Sequence, residues 1–463
     1  MIAMLLTLAA STLSAVPAPI AVNSDNPRYF TFRGKPTVLV TSGEHYGAVL
    51  NQDFDFVPYL AELQRCGLNL TRTFTGVYME DTGSFSIRNN TLAPAEGRLI
   101  CPWVRSAEPG YARGGSKFDL TRWDDAYFER LRAFCAEAGK RGVIVELVLF
   151  CPYYEDQMWA ISPLHPANNV NGTPDVPRTE VLALKHPALT AIQEAMTRKV
   201  VSELRDVPNL YYEICNEPYF GGVTLEWQAR IAQVIAETEA DLPRKHLIAQ
   251  NIANGSAEVT RPDPLVSLLN FHYANPPDAV EANWGLNRPI AFDETGFKGS
   301  EDLPYRTDAW EFMLAGGSVY DNLDYSFTCA HPDGTAEVSA PGGGGPALRS
   351  QLTALKRFIE GFDFVRMAPH DEVVTATAVG TGVPTYERVR CLAEPGQQYA
   401  VYVKGGTTTE LRLDAPKGSY RVEWLNPRSG VAEGRRTIEH PGGALTLNSP
   451  AYVEDVAVSV RRT

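Results

Sequence analysis

The stretch Asn209-Leu210-Tyr211-Tyr212-Glu213-Ile214-Cys215-Asn216-Glu217-Pro218 is a short, mostly apolar run that ends in a carboxylate and a proline. A run of this length, bounded by a turn signal, reads as a strand buried on both faces, as in parallel sheets. Such sheets keep their chemistry at the C-terminal tips of the strands, where Glu217 stands. A second run, Arg288-Pro289-Ile290-Ala291-Phe292-Asp293-Glu294-Thr295-Gly296, has the same form and places Glu294 at its tip.

Working outward, the β-rich runs number eight: Thr37 to Ser42, Asn69 to Phe74, Val143 to Phe150, Leu210 to Cys215, His246 to Gln250, Val266 to Phe271, Pro289 to Asp293 and Ser318 to Leu323. Amphipathic segments separate them, the alternation expected of βα units, and eight parallel strands close a barrel. The clearest helix is expected from Trp123 to Arg141, where Trp123, Tyr127, Leu131, Phe134 and Ala138 form one apolar stripe. Thr121 is expected to cap its start and Gly142 to stop it. Pro187 suits the first turn of another helix reaching about Arg205. Two connections, Gly76 to Thr121 and Cys151 to His186, are long and leave the tips that should carry the chemistry. They hold Tyr78, Phe85, Trp103, Tyr111, Tyr153, Tyr154 and Trp159, each of which either lines a binding site or packs its loop onto the barrel.

After Phe364 the pattern changes to alternating segments between Gly, Pro and Asn turns: Tyr399 to Val403, Thr409 to Leu413, Tyr420 to Trp424 and Val456 to Val460. The expected organisation is a secretory leader over 1–18, an α/β (β/α)8 TIM barrel over 19–365, and a small all-β sandwich over 366–463. The leader has small residues near its end, Ser14-Ala15-Val16-Pro17-Ala18, but no Lys or Arg before Arg28. It makes the expected location secreted or periplasmic.

The 463 residues carry a formal charge of −13, with no basic stripe to neutralise a phosphate backbone, so nucleic acid is excluded as a partner. Beyond the N-terminus nothing is long and apolar enough to span a bilayer. Seven scattered cysteines without CxxC spacing suggest neither a zinc site nor a disulfide framework. Cys135 and Cys215 read as buried thiols. Glu44, His45 and His272 lack HExxH spacing, and no metal or cofactor is expected. Glu146 and Glu213, inside strands, are expected to pair with a buried cation.

Two carboxylates at strand tips, one protonated and one ionised, are the minimum equipment for hydrolysing a glycosidic bond. With Asn216-Glu217-Pro218 after strand four, Glu294 after strand seven, Arg72 after strand two and His272-Tyr273 after strand six, residues 30 to 365 resemble the retaining β-glycoside hydrolases of clan A. These are (β/α)8 barrels that include the cellulase-like family 5. The resemblance implies that Glu217 is the general acid/base and Glu294 the nucleophile. It further implies that Asn216 bonds the sugar 2-hydroxyl, that Arg72 keeps Glu294 ionised, and that His272 and Tyr273 hydrogen-bond around the nucleophile and sugar. Family 5 members commonly carry a tryptophan after strand eight. This chain has Tyr320-Asp321-Asn322-Leu323-Asp324-Tyr325 there, and Ala274 where a tyrosine often follows strand six. Glu44 and His45 after strand one, Trp159 in the third loop and Asn322 are further candidates for sugar contact. The expected substrate is an oligo- or polysaccharide. Transglycosylation at the same site, or a non-catalytic carbohydrate-binding barrel, are the alternatives; sugar identity and oligomeric state stay open.

Overall fold

A computed structural model describes residues 18–338, 341–379 and 389–463; the expected leader lies outside them apart from Ala18. Eight parallel strands form one sheet: Leu39–Gly43, Leu70–Phe74, Ile144–Phe150, Leu210–Cys215, Ile248–Asn254, Leu268–His272, Ile290–Glu294 and Val319–Leu323, here numbered one to eight. The ladder runs one, eight, seven, six, five, four, three, two. Asn69 bridges the seam between strands one and two: Val40 N–H donates to its Oδ1 at 3.0 Å, and its Nδ2 donates to the Val38 carbonyl at 2.9 Å. One side chain thus supplies bonds that a ladder would have made, and the sheet closes as a (β/α)8 barrel.

Alternation along the strands layers the interior. Leu39, Leu70, Ile144, Tyr211, Leu268, Ala291 and Val319 form an apolar floor with Ile20, Phe30 and Phe32, the last two from a small antiparallel sheet at the N-terminus. Two residues further up the same strands stand Arg72, Glu146, Glu213, Asn270, Asp293 and Asp321, all buried. Arg72 Nε donates to Glu213 Oε2 at 2.8 Å and lies 3.4 Å from Asp293 and 4.0 Å from Glu146. Arg72 is therefore the cation expected for Glu146 and Glu213. Removing it would leave several buried charges uncompensated.

Helices Phe56–Cys66, Asp125–Lys140, Pro187–Leu204, Leu225–Thr238, Asp302–Leu314 and Pro346–Glu360 are among those that cover the barrel. The second starts later than expected. Thr121 and Trp123 belong to a strand, Ser116–Trp123, which pairs with Trp103–Pro109 as a hairpin inside the first long connection. Asp124 is the cap, its carboxylate accepting from the N–H groups of Ala126 and Tyr127. Strand five is also displaced, from the expected 246–250 to Ile248–Asn254. His246 is used instead to bridge Glu239 and the Val207 carbonyl, outside the sheet.

The C-terminal strands form a six-stranded antiparallel sheet facing a three-stranded one, Val374–Val379, Thr408–Ala415 and Gly443–Asn448. Leu411, Leu413, Val401, Val403, Val422, Leu447, Val456 and Val458 fill the space between them. This β-sandwich docks on the helix Asp302–Leu314, whose residues from Tyr305 onward are all buried. Arg306 Nε donates to Asp455 at 2.9 Å, Lys404 meets Glu311 at 2.7 Å, and Trp310 stacks on Tyr402 with ring centroids 5.3 Å apart. Among the described residues no helix is long and apolar enough to cross a membrane.

Candidate active site

At the C-terminal mouth of the barrel lies a cavity of about 400 Å³, counting its open entrance. Glu217 and Glu294 line it from strands four and seven, each with only 7% of its surface exposed. One carboxylate oxygen of each, with a nitrogen of His272, falls within a group whose atoms all lie inside 4.8 Å of one another. Tyr46, Phe85, Glu217, Tyr273 and Phe297, all lining this cavity, have φ between 36° and 63°. Positive φ is costly for non-glycine residues, and such strain concentrates where a structure must aim a side chain.

Glu294 accepts three hydrogen bonds: from Tyr273 Oη at 2.8 Å, Tyr46 Oη at 3.0 Å and Arg72 Nη1 at 3.3 Å. Glu217 is bonded differently. Tyr154 Oη donates to its Oε2 at 2.6 Å, while Tyr219 Oη at 3.2 Å and His272 Nδ1 at 3.0 Å reach its Oε1. Burial opposes ionisation of Glu217, but His272 and the two tyrosines outweigh it, leaving the carboxyl below its ordinary range. Burial likewise disfavours a charged His272. The carboxylates of Glu294, Asp293 and Glu217 overcome this and push it up to about 9. Asn216 accepts from Arg72 Nη2 at 2.9 Å and donates to Tyr154 Oη at 2.8 Å, locking its amide between the charged layer below and the cavity.

The structure brings together Glu217, Glu294, Asn216, Arg72, His272, Tyr273 and His45, with Arg72 and His272 beneath the carboxylates and the others at the cavity wall. Three candidates stand elsewhere. Glu44 turns away from the cavity: its carboxylate accepts from the N–H groups of Gly47 (3.1 Å) and Ala48 (2.9 Å) and from Thr91 Oγ1 (2.5 Å), holding the turn after strand one. Gly47 approaches Thr91 so closely that a Cβ there would sit 2.2 Å from the Thr91 carbonyl oxygen. Trp159 packs against Tyr153 and donates to the Val176 carbonyl at 3.0 Å, and Asn322 donates to Ser42 and the Leu323 carbonyl. Neither lines the cavity. Of the loop aromatics, Tyr78, Phe85 and Tyr154 line it, while Trp103, Tyr111 and Tyr153 pack the loops. Tyr46, Glu80, Tyr219 and Phe297 went unselected in the sequence. Tyr46 alone carried a signal, as the residue following the candidates Glu44 and His45 after strand one.

Two carboxylate groups are close enough to share an ion. In the lower one, Glu146, Glu213 and Asp293, the Arg72 guanidinium already occupies the centre. In the upper one, Glu217, His272 and Glu294, both histidine nitrogens are engaged, Nδ1 by Glu217 and Nε2 by the Asn251 amide.

No protein-family model and no curated protein matches the sequence. Solved structures do match. A structure described as a glycoside hydrolase superposes with a TM-score of 0.63 at 13% identity, covering 96% of this chain and 97% of its own. A putative glycoside hydrolase from Bacteroides vulgatus gives 0.65 at 12% identity, covering 96% and 82%, and a family 5 glycoside hydrolase from the same organism 0.63 at 13%, covering 96% and 94%. At such identities the likeness is one of fold, and the fold of this chain is that of these glycoside hydrolase structures, a (β/α)8 barrel followed by a β-sandwich.

Proposed function

We propose that this protein is a retaining β-glycoside hydrolase acting on an oligo- or polysaccharide, with Glu294 as nucleophile and Glu217 as general acid/base. The observation that carries this reading is the spacing of the two carboxylates across the cavity, with oxygens inside 4.8 Å of one another. Retention needs the carboxyl groups about 5 to 5.5 Å apart, whereas inversion needs about 6.5 to 9.5 Å to admit a water between them.

The bonding around each residue fits its role. Arg72, Tyr46 and Tyr273 all donate to Glu294, which fixes the position of its two oxygens for attack on the anomeric carbon. At neutral pH the proton of this pair sits on His272, raised to about 9, whose Nδ1–H donates to the ionised Glu217 at 3.0 Å. As Glu294 forms its bond to the anomeric carbon, His272 yields this proton to Glu217 and Glu217 passes it to the departing oxygen. Glu217 then takes a proton from water, whose oxygen displaces Glu294 and restores the original configuration. The aromatics Phe74, Tyr78 and Tyr154 line the cavity and supply apolar surface beside the sugar.

Incubation with 2-deoxy-2-fluoro glycosides, followed by peptide mass spectrometry, tests the reading. A sugar adduct on Glu294 is the expected result; sugar binding without turnover or label would favour a carbohydrate-binding barrel. We also place the protein outside the cytoplasm, on the apolar, small-residue character of 1–18. N-terminal sequencing of the exported protein tests this.

A further inference from the structure

Among the polar groups of the cavity wall that the mechanism above does not use are His45 and Glu80. The His45 ring is held between Tyr46 and Tyr325, with centroids 5.4 and 5.8 Å away. Neither of its nitrogens has a hydrogen-bond partner, although the residue is only 9% exposed. Its Nε2 lies 3.4 Å from Glu80 Oε2. Glu80 is itself fixed: Tyr78 Oη donates to its Oε1 at 3.0 Å, Asn90 Nδ2 to its Oε2 at 2.5 Å, and Arg113 clamps its backbone carbonyl at 2.7 Å.

A buried polar group left without a partner costs about 1–3 kcal/mol, so a stacked histidine in a cavity wall, with Nδ1 unpartnered and Nε2 in only a 3.4 Å contact with Glu80, suits a ligand that satisfies it. Two atoms 3.4 Å apart can both lie within hydrogen-bond range of one hydroxyl oxygen, which donates to the carboxylate and accepts from the imidazole. The pair also stands on the nucleophile's side of the site. Tyr46, next in sequence and stacked on His45, bonds Glu294, whereas Tyr154 and Tyr219 surround Glu217. The attacking carboxylate faces the glycone. Finally, Glu80, Glu217 and Glu294 line the cavity, no Lys or Arg does among the described residues, and the cations Arg72 and His272 lie beneath the wall, already engaged by Glu294 and Glu217. A sugar bearing a carboxylate or sulfate would meet like charge there.

We infer that His45 and Glu80 form the subsite that selects the sugar: a neutral glycone, held by one hydroxyl remote from its anomeric carbon that bridges His45 Nε2 and Glu80 Oε2. This deepens the hydrolase reading and rests on it.

The test compares wild type, Glu80→Gln and His45→Phe on 4-nitrophenyl β-glycosides, using the best neutral parent sugar, its monodeoxy analogues and the matching hexuronide. The phenylalanine keeps the ring stack, so it reports on the nitrogens even where the Glu80 variant folds poorly. Each variant is expected to lose roughly 10- to 100-fold in kcat/KM on the parent, mostly through KM, and little on the one analogue that lacks the bridging hydroxyl. The hexuronide is expected to be the poorer substrate for the wild type. Equal losses on every analogue, unchanged kinetics in both variants, or a preferred hexuronide overturns the inference. A wild type that hydrolyses no glycoside and takes no label on Glu294 brings down the hydrolase reading instead, and the subsite with it.

Discussion

Nδ1 of His272 stands 3.0 Å from Glu217 Oε1 and 3.6 Å from Glu294 Oε1, so one fully buried imidazole joins the two candidate catalytic carboxylates. Its other nitrogen lies 3.7 Å from Asp293. The ring is thus surrounded by three acids, and its charge state is coupled to theirs.

That coupling predicts a pH dependence of stability. The folded-state pKa of His272 is pushed up to about 9, above the ordinary 6.5, so its contribution is fully present below pH 6.5 and is lost as pH rises through 9. Chemical denaturation across this window should show stability falling by an amount on the order of a few kcal/mol. In His272→Gln the fall between pH 6.5 and 9 should shrink markedly; an unchanged slope would mean the ring does not hold the proton.

The two carboxylates should respond differently to removal. Glu217→Ala and Glu294→Ala are each expected to lower kcat by at least about 10²-fold, with circular dichroism unchanged. Azide should restore turnover to both by filling the space of the lost carboxylate. The glycosyl azide should have retained configuration with Glu217→Ala and inverted configuration with Glu294→Ala, read by proton NMR of the product.

Tyr46 and Tyr273 donate to opposite oxygens of Glu294. A hydrogen bond to a charged group contributes about 1.5–3 kcal/mol, so Tyr46→Phe and Tyr273→Phe should each reduce kcat/KM by roughly 10- to 100-fold. Steady-state kinetics of the double variant should exceed either single loss.

Arg306 tests how the sandwich is held. It is a buried residue of the helix Asp302–Leu314 and meets Asp455 of the sandwich at 2.9 Å. Arg306→Met leaves Asp455 buried without its cation and should cost about 3–5 kcal/mol in urea unfolding. Restoration by Asp455→Asn in the same chain would locate the cost in the unpaired charge.

Much of the barrel was legible because its strands are local signals. Continuous apolar runs such as Leu210 to Cys215 end in turns, and counting them predicts the closed sheet that the structure contains. Strand five slipped because Ile248–Asn254 runs on through Gln250, Asn251 and Asn254, polar residues that resemble a loop: Asn251 faces His272 in the polar interior, Gln250 bonds Gln228 on the covering helix, and Asn254 is exposed. The start of the helix at Asp125 was misplaced because Trp123 fits the helical stripe equally well as the end of a hairpin strand.

By itself, the sequence determined where the strands end and therefore which residues stand at their tips, since strand periodicity and turn chemistry act over a few residues. Glu217, Glu294, Asn216, His272 and Tyr273 follow from that arithmetic, as does the resemblance built on them, whereas Arg72 stands inside strand two, one layer below the tips. Only the tertiary structure decided which of the remaining polar groups face the cavity. Glu44 and His45 are neighbours in sequence, yet one carboxylate is consumed by the turn that aims the other's ring, and Glu80 reaches the same wall from a long loop without any repeating pattern. Loop packing is set by contacts between residues far apart in the chain, and that information has no local period to read.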